Sequence, residues 1–204
     1  MEKTAPKVLW IAIVISIIAY FLPWLVNSKS AILTVGAYDL AEWVSLVPSV
    51  RIDNPLLWQA LILRLHPLLW AGIITFSIQQ NEAKSLRLLQ IAFIALLTIG
   101  LLPSLNFIGR IGEDFNYRQQ FILAVITVFI SIIGFSGVLR RFSRWIVVGF
   151  ALVGLVVSVA GYSTAQSLMM QYGLQPEMGL GVVFSVMGYG IALLYTIGRA
   201  VKER

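Results

Sequence analysis

Arg64 is the residue whose position most needs a chemical explanation. It sits in the run LILRLHP, inside an apolar stretch that reads from about Pro55 to Ile78. About nine residues separate it from Pro55, roughly 14 Å at 1.5 Å per residue, which is close to the middle of a hydrocarbon core about 30 Å thick. A cation at that depth costs from a few to more than about ten kcal/mol, so it needs a partner, a polar cavity or another subunit to face. Two residues on stands His66, the one histidine of the chain. A histidine-built metal site is thereby excluded, which leaves a hydrogen-bonded structural role or a proton-sensitive switch. Pro67 removes a backbone donor and frees a carbonyl one turn back. Arg64, His66 and Pro67 thus form one polar, irregular level in an oily segment.

Companions for that level are sought among the polar residues of other apolar runs. The segment GYSTAQS supplies Tyr162, Thr164 and Gln166 as candidate partners for Arg64, with interhelical hydrogen bonding as their alternative role. Gly154 and Ser158 stand four apart, as do Gly181 and Ser185. That spacing lets helix backbones approach closely, either within the chain or against another chain. Hydrolytic chemistry has one possible foothold, Gly134-Phe135-Ser136-Gly137, but a neutral serine without a base is a weak nucleophile. Phosphate-binding glycine loops, HExxH and paired intramembrane carboxylates are all missing from the sequence. The chain has no cysteine, which excludes disulfides, thiolate catalysis and Cys-ligated metals. No catalytic residue, cofactor site or metal site is therefore assigned.

The elements that position these residues follow from composition. Of 204 residues, 59% are hydrophobic and 12% are charged, against about 25% charged in soluble domains. Mean hydropathy is +0.88. Six apolar runs stand out, at about Val8 to Val26, Pro55 to Ile78, Leu88 to Ile108, Phe121 to Leu139, Trp145 to Met170 and Gly181 to Ala200. None alternates with a period of two, so helices are expected and a barrel is not. Six crossings at about 20 residues each take roughly 120 residues and leave no room for a catalytic domain outside the bilayer. The expectation is an all-α, polytopic membrane protein, one domain over residues 1–204, built as a bundle of six transmembrane helices. The first run is too long for a signal-peptide core and lacks a small-x-small site after Pro23-Trp24, so it reads as a retained helix.

Charge sets the orientation. Lys3, Lys7, Lys84, Arg87, Arg140, Arg141, Arg144, Arg199, Lys202 and Arg204 fall on one side with Glu2, Glu82 and Glu203. Lys29, Arg51, Arg110 and Arg118 fall on the other with Asp39, Glu42, Asp53, Glu113, Asp114 and Glu177. The cation bias puts both termini in the cytoplasm of a protein of the plasma (cytoplasmic) membrane. The net charge of +6 therefore reports topology; a nucleic-acid partner is not expected, and the lipid bilayer is. Trp10 and Trp145 fall near the predicted inner interface, and Trp24 and Trp58 near the outer one. In the first outer loop, AYDLAEWVSLVPSV puts Tyr38, Leu40, Ala41, Val44 and Val47 on one helical side with Asp39, Glu42 and Ser45 opposite, up to Pro48. A short amphipathic helix is expected there, lying on the membrane or capping the bundle, with Asp39, Glu42 and Trp43 available for interaction.

Two family resemblances bear on function. The G-x-S-G tetrad resembles that of rhomboid intramembrane proteases, which are also six-helix proteins with a long first outer loop. They need a histidine on the sixth span, and this chain has none there. The stretch from Ala160 to Glu203, AGYSTAQSLMMQYGLQPEMGLGVVFSVMGYGIALLYTIGRAVKE, resembles the accessory membrane region of osmoprotectant-type (glycine betaine or choline) ABC permeases, and the Leu22-Pro23-Trp24 region is loosely similar. A complete permease of that type carries a longer coupling loop with a Glu-Ala-Ala type motif, whereas Glu82-Ala83 sits in a short link. The resemblance thus implies a non-enzymatic accessory or regulatory subunit of a transport complex, with other membrane subunits as partners. Trp24, Trp43, Trp58, Tyr162 and Tyr172 would be the aromatic faces for a quaternary ammonium substrate, although an interfacial belt also accounts for them. The alternatives are a small-molecule permease or channel with Arg64 in its pathway, and a membrane-complex assembly or scaffold protein.

Overall fold

An apolar run in hydrocarbon closes its backbone hydrogen bonds within itself, and long helices follow. The computed structural model describes residues 5–26, 34–53, 57–77 and 84–202. Asn27, Lys29, Pro55, Ile78, Glu82-Ala83 and the terminal charges Glu2, Lys3, Glu203 and Arg204 lie outside the described residues. The chain is all-α, and five of its helices are long and apolar enough to cross a membrane. These are α4 (Trp58–Phe76), α5 (Lys84–Leu101), α6 (Phe115–Ser136), α7 (Ser143–Gln171) and α8 (Leu180–Lys202). A shorter apolar helix, α1 (Ala5–Phe21), precedes them. Between α1 and α4 come α2 (Ala37–Leu46) and α3 (Pro48–Asp53).

Several boundaries differ from the sequence expectation for local reasons. The first apolar run does not stay helical to Val26. Pro23 cannot continue the helix and disfavours the helical conformation in the residue before it, and Pro23–Val26 becomes an extended strand, β1. It pairs antiparallel with β2 (Val35–Gly36) and with β3 (Glu177–Met178), in the order β2-β1-β3. This small sheet, which apolar periodicity does not reveal, ties the segment before α2 to the α7–α8 connection. The third run stops at Leu101, before Pro103, and resumes as a 3-10 turn over Leu105–Arg110. Trp24, expected at an interface, is fully buried and donates its indole N–H to the Ala19 carbonyl at 2.9 Å.

Helix α4 is the axis of the bundle: 72% of its apolar window is buried, against 17% for α5 at the periphery. It packs on α7, α6, α2 and α5, while α1 packs chiefly on α8. Several small residues of α7 and α8 are used inside the chain. A Cβ on Gly154 would run into the Tyr189 ring, one on Gly181 into Trp24, and one on Gly188 into the Ser16 hydroxyl. Ser158 and Ser185 share a hydrogen bond of 2.9 Å between α7 and α8. The four-residue spacing therefore serves packing within one chain at these positions.

Close approach at Gly188 makes a stability prediction. Gly188→Ala overpacks the α1–α8 seam and costs about 1–3 kcal/mol, read as a lower melting temperature in detergent. Adding Ser16→Gly restores most of the loss. Gly190→Ala, where a Cβ meets nothing within 4 Å, leaves the melting temperature near that of the parent.

Candidate functional site

The candidate site is assembled at the end of the bundle covered by α2. Helix α4 begins at Trp58, so Arg64 lies only six residues in, about 9 Å along the axis. That is nearer the helix end than a start at Pro55 implies. Side chains lean toward the N-terminus of their helix, which carries the Arg64 guanidinium further toward that end, up to α2 and the first turns of α6. Its Nη2 donates to Glu42 Oε1 at 2.7 Å and its Nη1 to Gln119 Oε1 at 2.9 Å. The Arg64 side chain is 4% exposed and that of Glu42 35%. Gln120 Nε2 donates to the same Glu42 oxygen at 2.6 Å, and Gln119 Nε2 donates to the Leu57 carbonyl at 3.3 Å. One carboxylate and two adjacent amides thus close a ring of hydrogen bonds around the buried cation.

Leu57, the residue before α4, is itself unusual. It is buried and left-handed, at φ 47° and ψ 49°, the one described non-glycine residue with positive φ. Such a conformation costs on the order of 1–2 kcal/mol. Here it turns the Leu57 carbonyl to accept from Leu61 N at 2.8 Å and from Gln119.

A second ion pair fastens the same layer. Arg51 Nε donates to the Ser45 carbonyl at the end of α2, and its Nη2 donates to both Asp114 oxygens at 3.0 and 2.9 Å. Asp114 caps α6 by accepting from the Asn116 backbone N–H at 2.8 Å. Burial raises the Asp114 pKa, but the Asn116 N–H and then Arg51 outweigh it, and the carboxyl sits below its ordinary value. Burial first, and the Glu42 carboxylate next, hold the Tyr38 phenol above its ordinary value, so it stays a neutral donor.

Among the expected site residues, the structure joins Arg64 to Glu42 and separates it from Tyr162, Thr164 and Gln166. The amide of Gln166 donates to the Pro176 carbonyl at 3.3 Å, the Thr164 carbonyl accepts from Ser167, and Tyr162 packs in the apolar cluster under α2. These residues lie on the part of α7 that borders the α7–α8 connection, whereas α6 brings its amides to Arg64. Glu42 and Ser45, expected on the outer side of the loop helix, turn inward: Glu42 to Arg64, Ser45 fully buried with its hydroxyl on the Glu42 carbonyl. Tyr38, expected on the apolar side, is 40% exposed. Asp39 is exposed, and Trp43 meets Tyr172 edge-on at 6.1 Å. Of the expected aromatic faces, Trp24, Trp43 and Tyr162 share one apolar cluster, with Trp24 fully buried, while Trp58 is 53% exposed.

His66 faces away from the ion pair. Its Nδ1 lies 3.1 Å from the Tyr189 hydroxyl, and its ring touches Trp24 edge-on with centroids 5.1 Å apart. Trp70, one turn on, stacks on Tyr189 at 4.4 Å. Ser136 is exposed with its hydroxyl donated to the Ile133 carbonyl, and no described contact joins it to His66. Among the described residues no group of three or more His, Asp or Glu side chains is placed to hold a metal. The residues missed in the sequence are Gln119, Gln120, Arg51, Asp114 and Leu57. The Asp114-Phe115-Asn116 start of an apolar run and the twin amides one turn later were the available signals. Comparison with protein-family models, curated proteins and solved structures finds no match.

Two outcomes test this geometry. Glu42→Ala strands the Arg64 charge and destabilises the fold by about 2–3 kcal/mol, below the 3–5 of a fully buried pair because Glu42 is partly solvated. The double change Glu42→Gln with Arg64→Met melts closer to the parent than Glu42→Ala does. Asp114 contributes stability that is complete above the ordinary carboxylate value and is lost as pH falls through its lowered one. Asp114→Asn therefore flattens the acid limb of the melting-temperature profile, and Asp114→Ala costs about 1 kcal/mol more through the lost cap.

Proposed function

We propose that this chain is a non-enzymatic integral membrane subunit that serves a transport complex as an accessory or regulatory component. The observation that favours this reading over a permease is the set of contacts around Arg64, in which Glu42 and Gln119 occupy the buried cation and Gln120 holds Glu42. A permease using Arg64 to attract or gate an anion needs that guanidinium open to a path. A structural clasp needs it closed, as the geometry has it. The paired carboxylates of an ion carrier also have no counterpart among the described residues of the five long helices. In this reading α1 is a sixth span, about 25 Å long at 1.5 Å per residue, and α2 with the small sheet forms an extracytoplasmic cap. The K/R asymmetry of the connections supports cytoplasmic termini, and in this reading the membrane is the plasma membrane.

Affinity purification in mild detergent is expected to bring down a transporter core or its ATPase, and repeated recovery of a monodisperse monomer alone would count against the reading. In reconstituted vesicles the isolated chain is expected to carry no solute flux. A flux abolished by Arg64→Leu would establish the permease reading in its place.

A further inference from the structure

A cavity of about 390 Å³ lies between α1, α4 and α5, within the roughly 300–1,000 Å³ range of small-molecule sites. Its inner wall is α4, through His66, Pro67 and Trp70, with Tyr20 from α1 beside them. Its rim is Phe21 of α1, Tyr38 of α2, and Leu96 and Gly100 of α5. The wall residues are buried, and the rim residues are exposed, Phe21 at 68% and Leu96 at 66%. The mouth therefore opens sideways between two helices whose outer faces are apolar, into what the hydropathy makes the hydrocarbon of the bilayer.

Three of the residues that line the cavity, Ser16, His66 and Trp70, carry a buried polar atom with no partner. His66 Nε2 and Trp70 Nε1 are both buried without a hydrogen bond, and both side chains are 2% exposed as residues. They stand four apart on α4 and so share one face. Buried polar atoms are almost always paired, and an exception needs an explanation. The indole N–H can only donate, so the missing partner must carry an acceptor. The imidazole Nε2 donates or accepts according to which way the Tyr189 hydrogen bond runs, and a ligand oxygen serves either. Among the described residues no charged side chain lines the cavity, and Arg64 is bonded to Glu42 and Gln119. An ionic ligand would lose its hydration there without compensation.

We propose that this cavity binds an uncharged amphiphile drawn from the membrane, its polar oxygen set against His66 and Trp70 and its apolar chain leaving between α1 and α5. This does not depend on the transport-complex assignment. Its nature is that of a long-chain alcohol, ester or quinone, in which an acceptor oxygen terminates an apolar body. Gly100 supplies a variant that blocks the mouth without disturbing the bundle, because a Cβ there meets nothing within 4 Å.

The test is photolabelling of the purified full-length chain in lipid nanodiscs with a diazirine-bearing hexadecanol, followed by mapping of the labelled peptides. Label is expected to concentrate on Ser16–Phe21 and Phe93–Gly100. Gly100→Leu and Trp70→Phe should each lower it several-fold, whereas Ile99→Leu, at an exposed position that does not line the cavity, should leave it unchanged. A hexadecyl sulfonate carrying the same diazirine should label these peptides weakly. Label spread evenly over the exposed faces of α5 and α6 and indifferent to Gly100→Leu would overturn the proposal. So would preferential labelling by the sulfonate. A melting temperature of Gly100→Leu near the parent's distinguishes loss of the site from loss of the fold, which the buried Trp70→Phe alone does not.

Discussion

A guanidinium cannot be buried in an apolar bundle unless something of opposite charge is brought to it, and that requirement organises one end of this protein. Arg64 lies on the most buried helix, so its counter-charge has to come from outside that helix. It comes from Glu42, on a short helix whose apolar face is itself buried over the bundle. A second guanidinium nitrogen donates to Gln119, and the carboxylate also accepts from Gln120, both on α6. Once these contacts form, α2, α4 and α6 are fixed relative to one another at that end. The apolar residues Leu40, Ala41 and Val44 of α2 are then buried over the bundle. The polar ring specifies the arrangement while the apolar surface supplies most of the driving force, a division consistent with the modest net value of buried ion pairs.

The second ion pair extends this logic toward the solvent. Arg51 takes one partner at the end of α2 and the other at the cap of α6, so the same two elements are tied twice, once around a buried guanidinium and once between two partly exposed groups. The difference in exposure matters energetically. The Arg64 guanidinium, 4% exposed, faces a low dielectric and depends on its partners being in place, while Glu42 keeps part of its solvation. The Arg51 pair is 39% and 28% exposed, contributes less, and weakens with ionic strength. The left-handed Leu57 belongs to the dry layer: its cost is borne where Gln119 and Leu61 both draw on its carbonyl.

How far the sequence disclosed this depends on the range of the interactions. The long helices were legible because hydropathy is a local property of about twenty residues, and five of the apolar runs coincide with helices long enough to span. The helical stretch at 37–46 was legible for the same reason, since Leu40, Ala41 and Val44 recur at helical spacing. Its facing was not, because an acidic residue on an outer loop is ordinarily solvated, and only the distant Arg64 turns Glu42 inward. The strand at Pro23–Val26 was hidden by composition, four residues as apolar as the helix before them. Tyr162, Thr164 and Gln166 were plausible partners for Arg64 by polarity alone. Spacing within a helix gives no information on which other helix stands opposite, so α6 could not be preferred to α7.

The distribution of glycines explains why the bundle is tight along some seams and open along another. Gly154 and Gly188 admit Tyr189 and Ser16 at the seams that α8 makes with α7 and α1, Gly72 and Gly161 admit Phe150 and Leu63 between α4 and α7, and Gly134 admits Thr75 between α4 and α6. At each of these a side chain from the neighbour fills the space a Cβ would take, which is how apolar helices gain packing energy when lipid competes on equal hydrophobic terms. Gly100 on α5 is different, because nothing fills its space. The opposing positions on α1 and α4 carry Tyr20, Phe21 and Trp70, rings too large to interdigitate with a bare backbone. With α1 held against α8 by Gly188, it does not close on α5, although α4 packs on both. The cavity is thus a consequence of the contacts that stabilise the rest of the fold, and its unpaired imidazole and indole nitrogens lie on the wall those contacts hold in place.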